Sequence, residues 1–190
     1  MTSPRITSRI RRRLLIALPF IPGTALAQAM PLTPGCGKPT APQTAGPFFK
    51  PRSPEKINLR EKDGKAPLLV VTGLVLSAQC KPVANALLDF WHADEFGDYD
   101  NKGYRYRGHQ FTDAQGRWKL ESIVPAEYPG RARHIHVNVQ APGRGILTTQ
   151  LYFPGEPGNQ RDGLFRPDLT VIVEKKASAM QARYSFVVDA

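Results

Sequence analysis

Little in this sequence points to a helix. No long stretch repeats its apolar residues at helical spacing, and 18 prolines and 16 glycines punctuate the 190 residues, a composition that favours turns. No internal repeat or low-complexity tract stands out, which excludes a solenoid or a repeat array. Only two cysteines are present, Cys36 and Cys80, so one intrachain disulfide is the most the chain can hold. Beyond the N-terminus no Lys/Arg-rich run interleaves with aromatics, and the usual signature of nucleic-acid binding is missing. The apolar run at residues 14–26 is too short to span a membrane.

That run instead has the layout of an export signal. Arg5, Arg9, Arg11, Arg12 and Arg13 precede it, and Ala25-Leu26-Ala27 supplies a small-x-small cleavage site before Gln28. Residues 1–27 are therefore expected to be a signal peptide, and the mature protein to be periplasmic or secreted with no stable membrane anchor. Arg11-Arg12-Arg13-Leu14-Leu15 also fits a loose twin-arginine pattern, so either export route is compatible with the sequence. Cys36 does not read as a lipoprotein cysteine, because Pro34 and Gly35 precede it and it lies well past the apolar run. The whole chain carries +10, and residues 1–27 hold five arginines and no acid, leaving +10 − 5 = +5 on the mature chain. A mildly basic surface suits small anionic substrates. In an oxidising compartment Cys36 and Cys80 are expected to form a disulfide, contributing about 4 kcal/mol in the chain-entropy description.

The rest of the chain divides in two. Residues 28–65 are rich in Pro, Gly, Lys and Thr and read as an irregular arm, anchored through Pro47-Phe48-Phe49. Residues 66–190 carry short strand signals separated by turns. The runs lie at 68–76, 86–92, 110–112, 118–120, 134–139, 148–153, 170–174 and 184–188, with Asp113-Ala114-Gln115-Gly116 as a hairpin loop between the third and fourth. Such a series predicts an all-β fold, an antiparallel β-sandwich with long active-site loops. The longest loop, at 94–108, is full of Gly, Asp, Tyr and Arg, and loops of that kind often carry function.

The most informative strand is Arg131-Ala132-Arg133-His134-Ile135-His136-Val137-Asn138-Val139. Alternate side chains on a strand share a face, so Ile135, Val137 and Val139 are expected in the core and His134, His136 and Asn138 on the opposite face. Two imidazoles so spaced can reach one metal ion, or can simply sit on a solvated face. Upstream lie Tyr128, in a turn just before this strand, and Tyr99, in the long loop after Trp91.

Together these segments resemble the intradiol ring-cleavage dioxygenases, in particular their compact secreted single-domain members. The resemblance runs through Gln43-Thr44-Ala45-Gly46-Pro47-Phe48-Phe49, Phe90-Trp91-His92-Ala93, Gly97-Asp98-Tyr99, Phe111-Thr112-Asp113 with Gly116, Pro125 with Tyr128-Pro129, Arg131 with His134-Ile135-His136, and Thr149-Gln150-Leu151-Tyr152-Phe153. It implies an Fe(III) cofactor held by Tyr99, Tyr128, His134 and His136. Tyr128 matches the axial tyrosine released when substrate binds, and Tyr99 the one that stays. Arg131 matches the active-site arginine and Gln150 the pocket glutamine, which with Tyr128 makes these three the catalytic candidates. The implied reaction takes a small-molecule catechol and O2 and opens the ring between the two hydroxyls. Phenolates are hard anionic donors and imidazole also suits iron, so this donor set matches Fe(III). Ala132-Arg133 replaces the proline and alanine that often follow the arginine, the 128–134 stretch is shorter than in protocatechuate enzymes, and the N-terminal dimerisation helices of catechol enzymes have no counterpart. These departures bear on substrate choice and on whether the chain forms a homo-oligomer.

Other residues carry weaker expectations. Arg105, Arg107 and Arg133 read as solvated loop charges near the mouth. His92 and His109 read as structural or exposed. Two further readings compete: a zinc hydrolase built on His134 and His136, which needs a carboxylate or third histidine beside them, and a non-catalytic sandwich module, since fold alone does not fix function.

Overall fold

The computed structural model describes residues 37–62, 64–175 and 179–190. The expected signal peptide and Cys36 lie outside the described residues. Among the described residues nine strands form two sheets. One contains β1 (Leu68–Ser77), β4 (Arg117–Ile123), β7 (Ile172–Lys175), β8 (Met180–Arg183) and β9 (Phe186–Val188), in the order β4-β1-β8-β7, with β9 also on β1. The other contains β2 (Leu87–Trp91), β3 (Arg107–Phe111), β5 (His134–Gln140) and β6 (Leu147–Tyr152), in the order β3-β2-β5-β6.

The core forms where the apolar halves of these alternations meet. Leu69, Val71 and Leu120 from the first sheet and Leu88, Phe90, Ile135, Val137 and Leu151 from the second are almost completely buried. Trp118 packs between Phe90 and Phe186, with ring centroids 5.4 and 5.5 Å away. The all-β sandwich is thus present, but it is not purely antiparallel. β1 runs parallel to both β8 and β9. The chain moves from one partner to the other at Gly73, where any Cβ would run into the Tyr184 carbonyl. β8 was not anticipated, because Met180-Gln181-Ala182-Arg183 lacks an apolar alternation and buries only Ala182.

The expected hairpin at 113–116 is a second correction. The tight turn exists, closed by Gly116 N–H on the Asp113 carbonyl at 2.9 Å. The strands it joins, however, belong to different sheets. In place of a ladder, the Gln110 side chain donates to the Lys119 carbonyl at 2.7 Å and accepts from its N–H at 3.2 Å.

The arm has no strand among its described residues, yet it is tied down along the sheet edges. Gln43 N–H reaches Thr148 O at 2.8 Å, Lys56 N–H reaches His109 O at 2.9 Å, and Leu59 N–H reaches Glu121 O at 2.8 Å. Those contacts occupy edge groups of β6, β3 and β4 that would otherwise be unpaired. They also carry residues 44–49 across the outer face of β5.

Candidate metal centre

The outer face of β5 is not solvated. Ile135, Val137 and Val139 enter the core as expected, but His134, His136 and Asn138 on the other face are buried too, beneath the arm and the long loops. The arm comes very close: a Cβ on Gly46 would lie 3.5 Å from His136 Cε1. Trp91 stacks on the His136 ring at 4.9 Å with 3° between planes.

His134 Nδ1 lies 2.6 Å from the Ala132 carbonyl, which can only accept. Its proton therefore sits on Nδ1, and Nε2 presents a lone pair. That Nε2 lies 3.0 Å from Nε2 of His136. Burial lowers the His134 pKa to about 4 and that of His136 well below the ordinary value. Both imidazoles are thus neutral at pH 7, the state a metal ligand needs.

The tyrosines complete the group. Tyr99 lies in the loop between β2 and β3, its ring stacked on Phe48 at 4.4 Å. Tyr128 lies in the turn before β5. Ring centroids run 5.7 Å from Tyr99 to Tyr128, 5.7 Å from Tyr128 to His134, 4.6 Å from His134 to His136, and 6.3 Å from His136 back to Tyr99. Four side chains from three segments thus form a closed circuit. The Tyr99 hydroxyl is buried without a hydrogen-bond partner, an arrangement that costs free energy unless something else satisfies it. Burial pushes its pKa well above that of an ordinary phenol, so ionising it requires a nearby cation. Two phenol oxygens and two neutral imidazoles fit Fe(III). Among the described residues no group of three or more His, Cys, Asp or Glu side chains is placed to hold a metal, so the donors a zinc hydrolase needs are missing there.

Asp94 organises both tyrosine-bearing segments. Its carboxylate accepts the N–H groups of Phe96 and Asp98 at 2.9 Å each and pairs with Arg105 at 2.7 Å. Its carbonyl accepts Ala126 N–H at 3.0 Å, tying the Tyr99 loop to the Tyr128 turn. Gly97 fits between them at φ 93°, with its missing Cβ only 2.5 Å from the Glu127 carbonyl.

Arg131 and Gln150 join the same site. One Nη of Arg131 lies 3.4 Å from the Tyr128 hydroxyl and the other 2.6 Å from Gln150 Oε1. Gln150 in turn donates to the Thr44 carbonyl at 2.8 Å. A cavity of about 290 Å³ adjoins the site, lined by Tyr128, Arg131, Glu127, Gly158 and Arg161 among others. It reaches Tyr128 and Arg131 but not the imidazoles, which the arm covers.

A family model described as a dioxygenase matches residues 44–189. The chain belongs to the intradiol ring-cleavage dioxygenase family. The dioxygenase domain of a dioxygenase–carbohydrate-binding protein fusion from Streptomyces sp. SirexAA-E is 50% identical with a TM-score of 0.79, covering 80% of this chain and 99% of that one. Chlorocatechol 1,2-dioxygenase from Pseudomonas sp. is 28% identical over 78% of this chain and 70% of its own length. Catechol 1,2-dioxygenase 2 from Acinetobacter lwoffii is 33% identical over 59% of this chain. The match spans 50% of that relative and 49% of the protocatechuate 3,4-dioxygenase beta chain from Burkholderia cepacia, about half of each.

Other site residues depart from expectation or went unforeseen. Arg107 is not a solvated charge: it is 1% exposed and donates to the carbonyls of Asp100 and Phe48. Arg105 and Arg133 are half-buried and paired with Asp94 and Glu156. His92 and His109 are structural, bonded to Ala93 O with Ser122 Oγ and to Ser53 respectively. Cys80 is disulfide-bonded, while Cys36, the expected partner, lies outside the described residues. Asp162 and Tyr152 contact Arg131 and were missed, since an aspartate in Gln160-Arg161-Asp162-Gly163 reads as an ordinary loop residue.

Proposed function

We propose that the protein is a mononuclear Fe(III) dioxygenase that opens a catechol-type ring between its two hydroxyls, giving a cis,cis-muconate-type dicarboxylic acid. The observation that carries this reading is the closed circuit of Tyr99, Tyr128, His134 and His136, with its two facing imidazole nitrogens and its unpartnered Tyr99 hydroxyl. These four residues would hold the metal. Bound Fe(III) would act as a Lewis acid that draws electron density from the catecholate and leaves the ring reactive toward oxygen.

The chain's own residues do the rest. Tyr128 lines the cavity; ionised as a ligand in the loaded site, its Oη would take up a proton from a substrate hydroxyl. Arg131 keeps a fixed positive charge beside that oxygen, where it stabilises negative charge growing on the ring. Phe48, Trp91 and the arm exclude water from the imidazole side. A dihydroxybenzene plus one O2 has the composition of the dicarboxylic acid, so no external reductant enters. We also infer that the mature protein is exported after cleavage following Ala27, with Cys36 bonded to Cys80.

Oxygen uptake by the iron-loaded protein, against catechol, protocatechuate, hydroxyquinol and chlorocatechols, tests the activity. Equimolar loss of O2 and one of these substrates, with a muconate-type product by mass spectrometry, is expected. No uptake with any of them, or a product cleaved outside the diol, would contradict it.

A further inference from the structure

Arg131 has three hydrogen-bonding edges, and the structure uses them unequally. The Nη1 edge faces the Tyr128 hydroxyl at a loose 3.4 Å. The Nη2 edge is held by Gln150 Oε1 at 2.6 Å and the Tyr152 hydroxyl at 3.2 Å. The Nε edge lies against both carboxylate oxygens of Asp162, at 3.1 and 3.0 Å. The Asp162 side chain is only 1% exposed, and it accepts two backbone N–H groups as well, Ala132 at 3.0 Å and Leu164 at 2.9 Å. A carboxylate so deeply held cannot follow a moving partner, so it fixes the guanidinium.

The electrostatics sharpen the point. Arg131 is useful for its positive charge next to a developing anion, and a carboxylate at 3 Å partly cancels that charge. Asp162 is therefore poorly explained as a source of field. It is well explained as a clamp. A free arginine side chain samples many rotamers, and catalytic electrostatics depend on groups being oriented beforehand.

We propose that Asp162 is a positioning residue for ring cleavage, holding the Nε edge of Arg131 so that the Nη1 edge stays turned toward Tyr128 and the substrate cavity. This rests on the functional reading above. Tyr152 and Gln150 hold the second edge, and together with Asp162 they leave Nη1 as the loosely held one, toward Tyr128.

The test uses the full chain as Asp162→Asn, Arg131→Lys and the double variant. Asparagine loses one of the two acceptor oxygens and turns an N–H toward the guanidinium. For Asp162→Asn, iron content and the resting visible spectrum stay as in wild type, because neither residue is a ligand. kcat per bound iron falls roughly tenfold to hundredfold, as for loss of a supporting hydrogen bond, while KM changes much less. In the Arg131→Lys background the same substitution has a far smaller effect, since no planar fork remains to be held. An independent readout is the Arg131 Nε–H signal by NMR in the gallium(III)-loaded protein, protected in wild type and lost in Asp162→Asn. Should Asp162→Asn accumulate poorly, Asp162→Glu keeps the charge but displaces the clamp, and the same changes apply. A wild-type kcat per iron, an equal loss in both arginine backgrounds, or activity lost only in proportion to iron would each overturn the proposal. A wild-type protein that turns over no catechol would sink the functional reading instead, and the Nε–H signal would still report on the clamp.

Discussion

At the residue scale the proposed function gives the two tyrosines and Arg131 separable jobs. Tyr99 is packed under Phe48 with its hydroxyl buried, whereas Tyr128 is half-buried at the cavity wall. Tyr128→Phe is expected to retain iron and some colour, since Tyr99 still supplies a phenolate, while turnover falls because the proton-accepting oxygen is gone. Tyr99→Phe is expected to weaken iron retention or shift the spectrum more. Unchanged turnover in Tyr128→Phe would contradict its role, and iron content, visible absorption and oxygen uptake read all three effects. For Arg131→Leu the expectation is full iron and colour with about 2–4 kcal/mol of transition-state stabilisation lost, the scale of removing one preorganised group. A wild-type rate in that variant would show that the charge does nothing. The proton on Tyr99 adds a pH effect with a definite sign. Because burial raises its pKa, metal uptake must expel that proton, so iron affinity should rise with pH. Competition with a chelator at two pH values checks this, and affinity that falls with rising pH across the range where the chelator is unchanged would oppose it.

At the element scale β5 does two jobs with its two faces. Ile135→Ala removes core atoms from the inner face, where Ile135 is completely buried. A stability loss of roughly 2–5 kcal/mol is expected, with the visible spectrum of the folded protein unchanged. Gly97→Ala is the converse case: strained at φ 93° and blocked by the Glu127 carbonyl, it separates the two tyrosine-bearing segments, and iron retention should fall more than the core loosens. Denaturant titration beside iron analysis distinguishes them, and a normal iron content in Gly97→Ala would count against the coupling of the two loops. Much of this element was legible in the sequence, because strict alternation about Ile135, Val137 and Val139 assigns both faces. What alternation could not convey is that the histidine face is buried as well, for the cover comes from residues some 90 positions earlier in the chain. The parallel pairing of β1 was hidden for a related reason, since pairing partners are set by where the chain returns and not by local pattern. Arg107 and Asp162 look like loop charges locally, and only the folded loops turn them inward.

At the scale of the whole molecule, burial of neutral imidazole makes the fold acid-sensitive. His92 is buried, bonded to Ala93 O and Ser122 Oγ, and burial lowers its pKa to about 4 from 6.5. The unfolded chain then binds the proton first as pH falls, so stability is fully present above pH 6.5 and is lost on the way down to about 4. The contribution is up to about 3 kcal/mol. Unfolding midpoints measured from neutral to acid pH should fall for wild type and fall less steeply for His92→Gln; parallel slopes would reject the assignment. The proposed export is tested by intact mass, where Gln28 at the mature N-terminus and no thiol alkylated before reduction are expected; two freely alkylated thiols would exclude the bridge. The proposed function depends on Tyr99, Tyr128, His134 and His136 holding iron, and the most direct measurement of that is metal analysis of the purified protein together with its visible absorption. One iron per chain and a red to burgundy colour from tyrosinate-to-Fe(III) charge transfer is the predicted result. A colourless protein, fully loaded with zinc and active in that form, would contradict it.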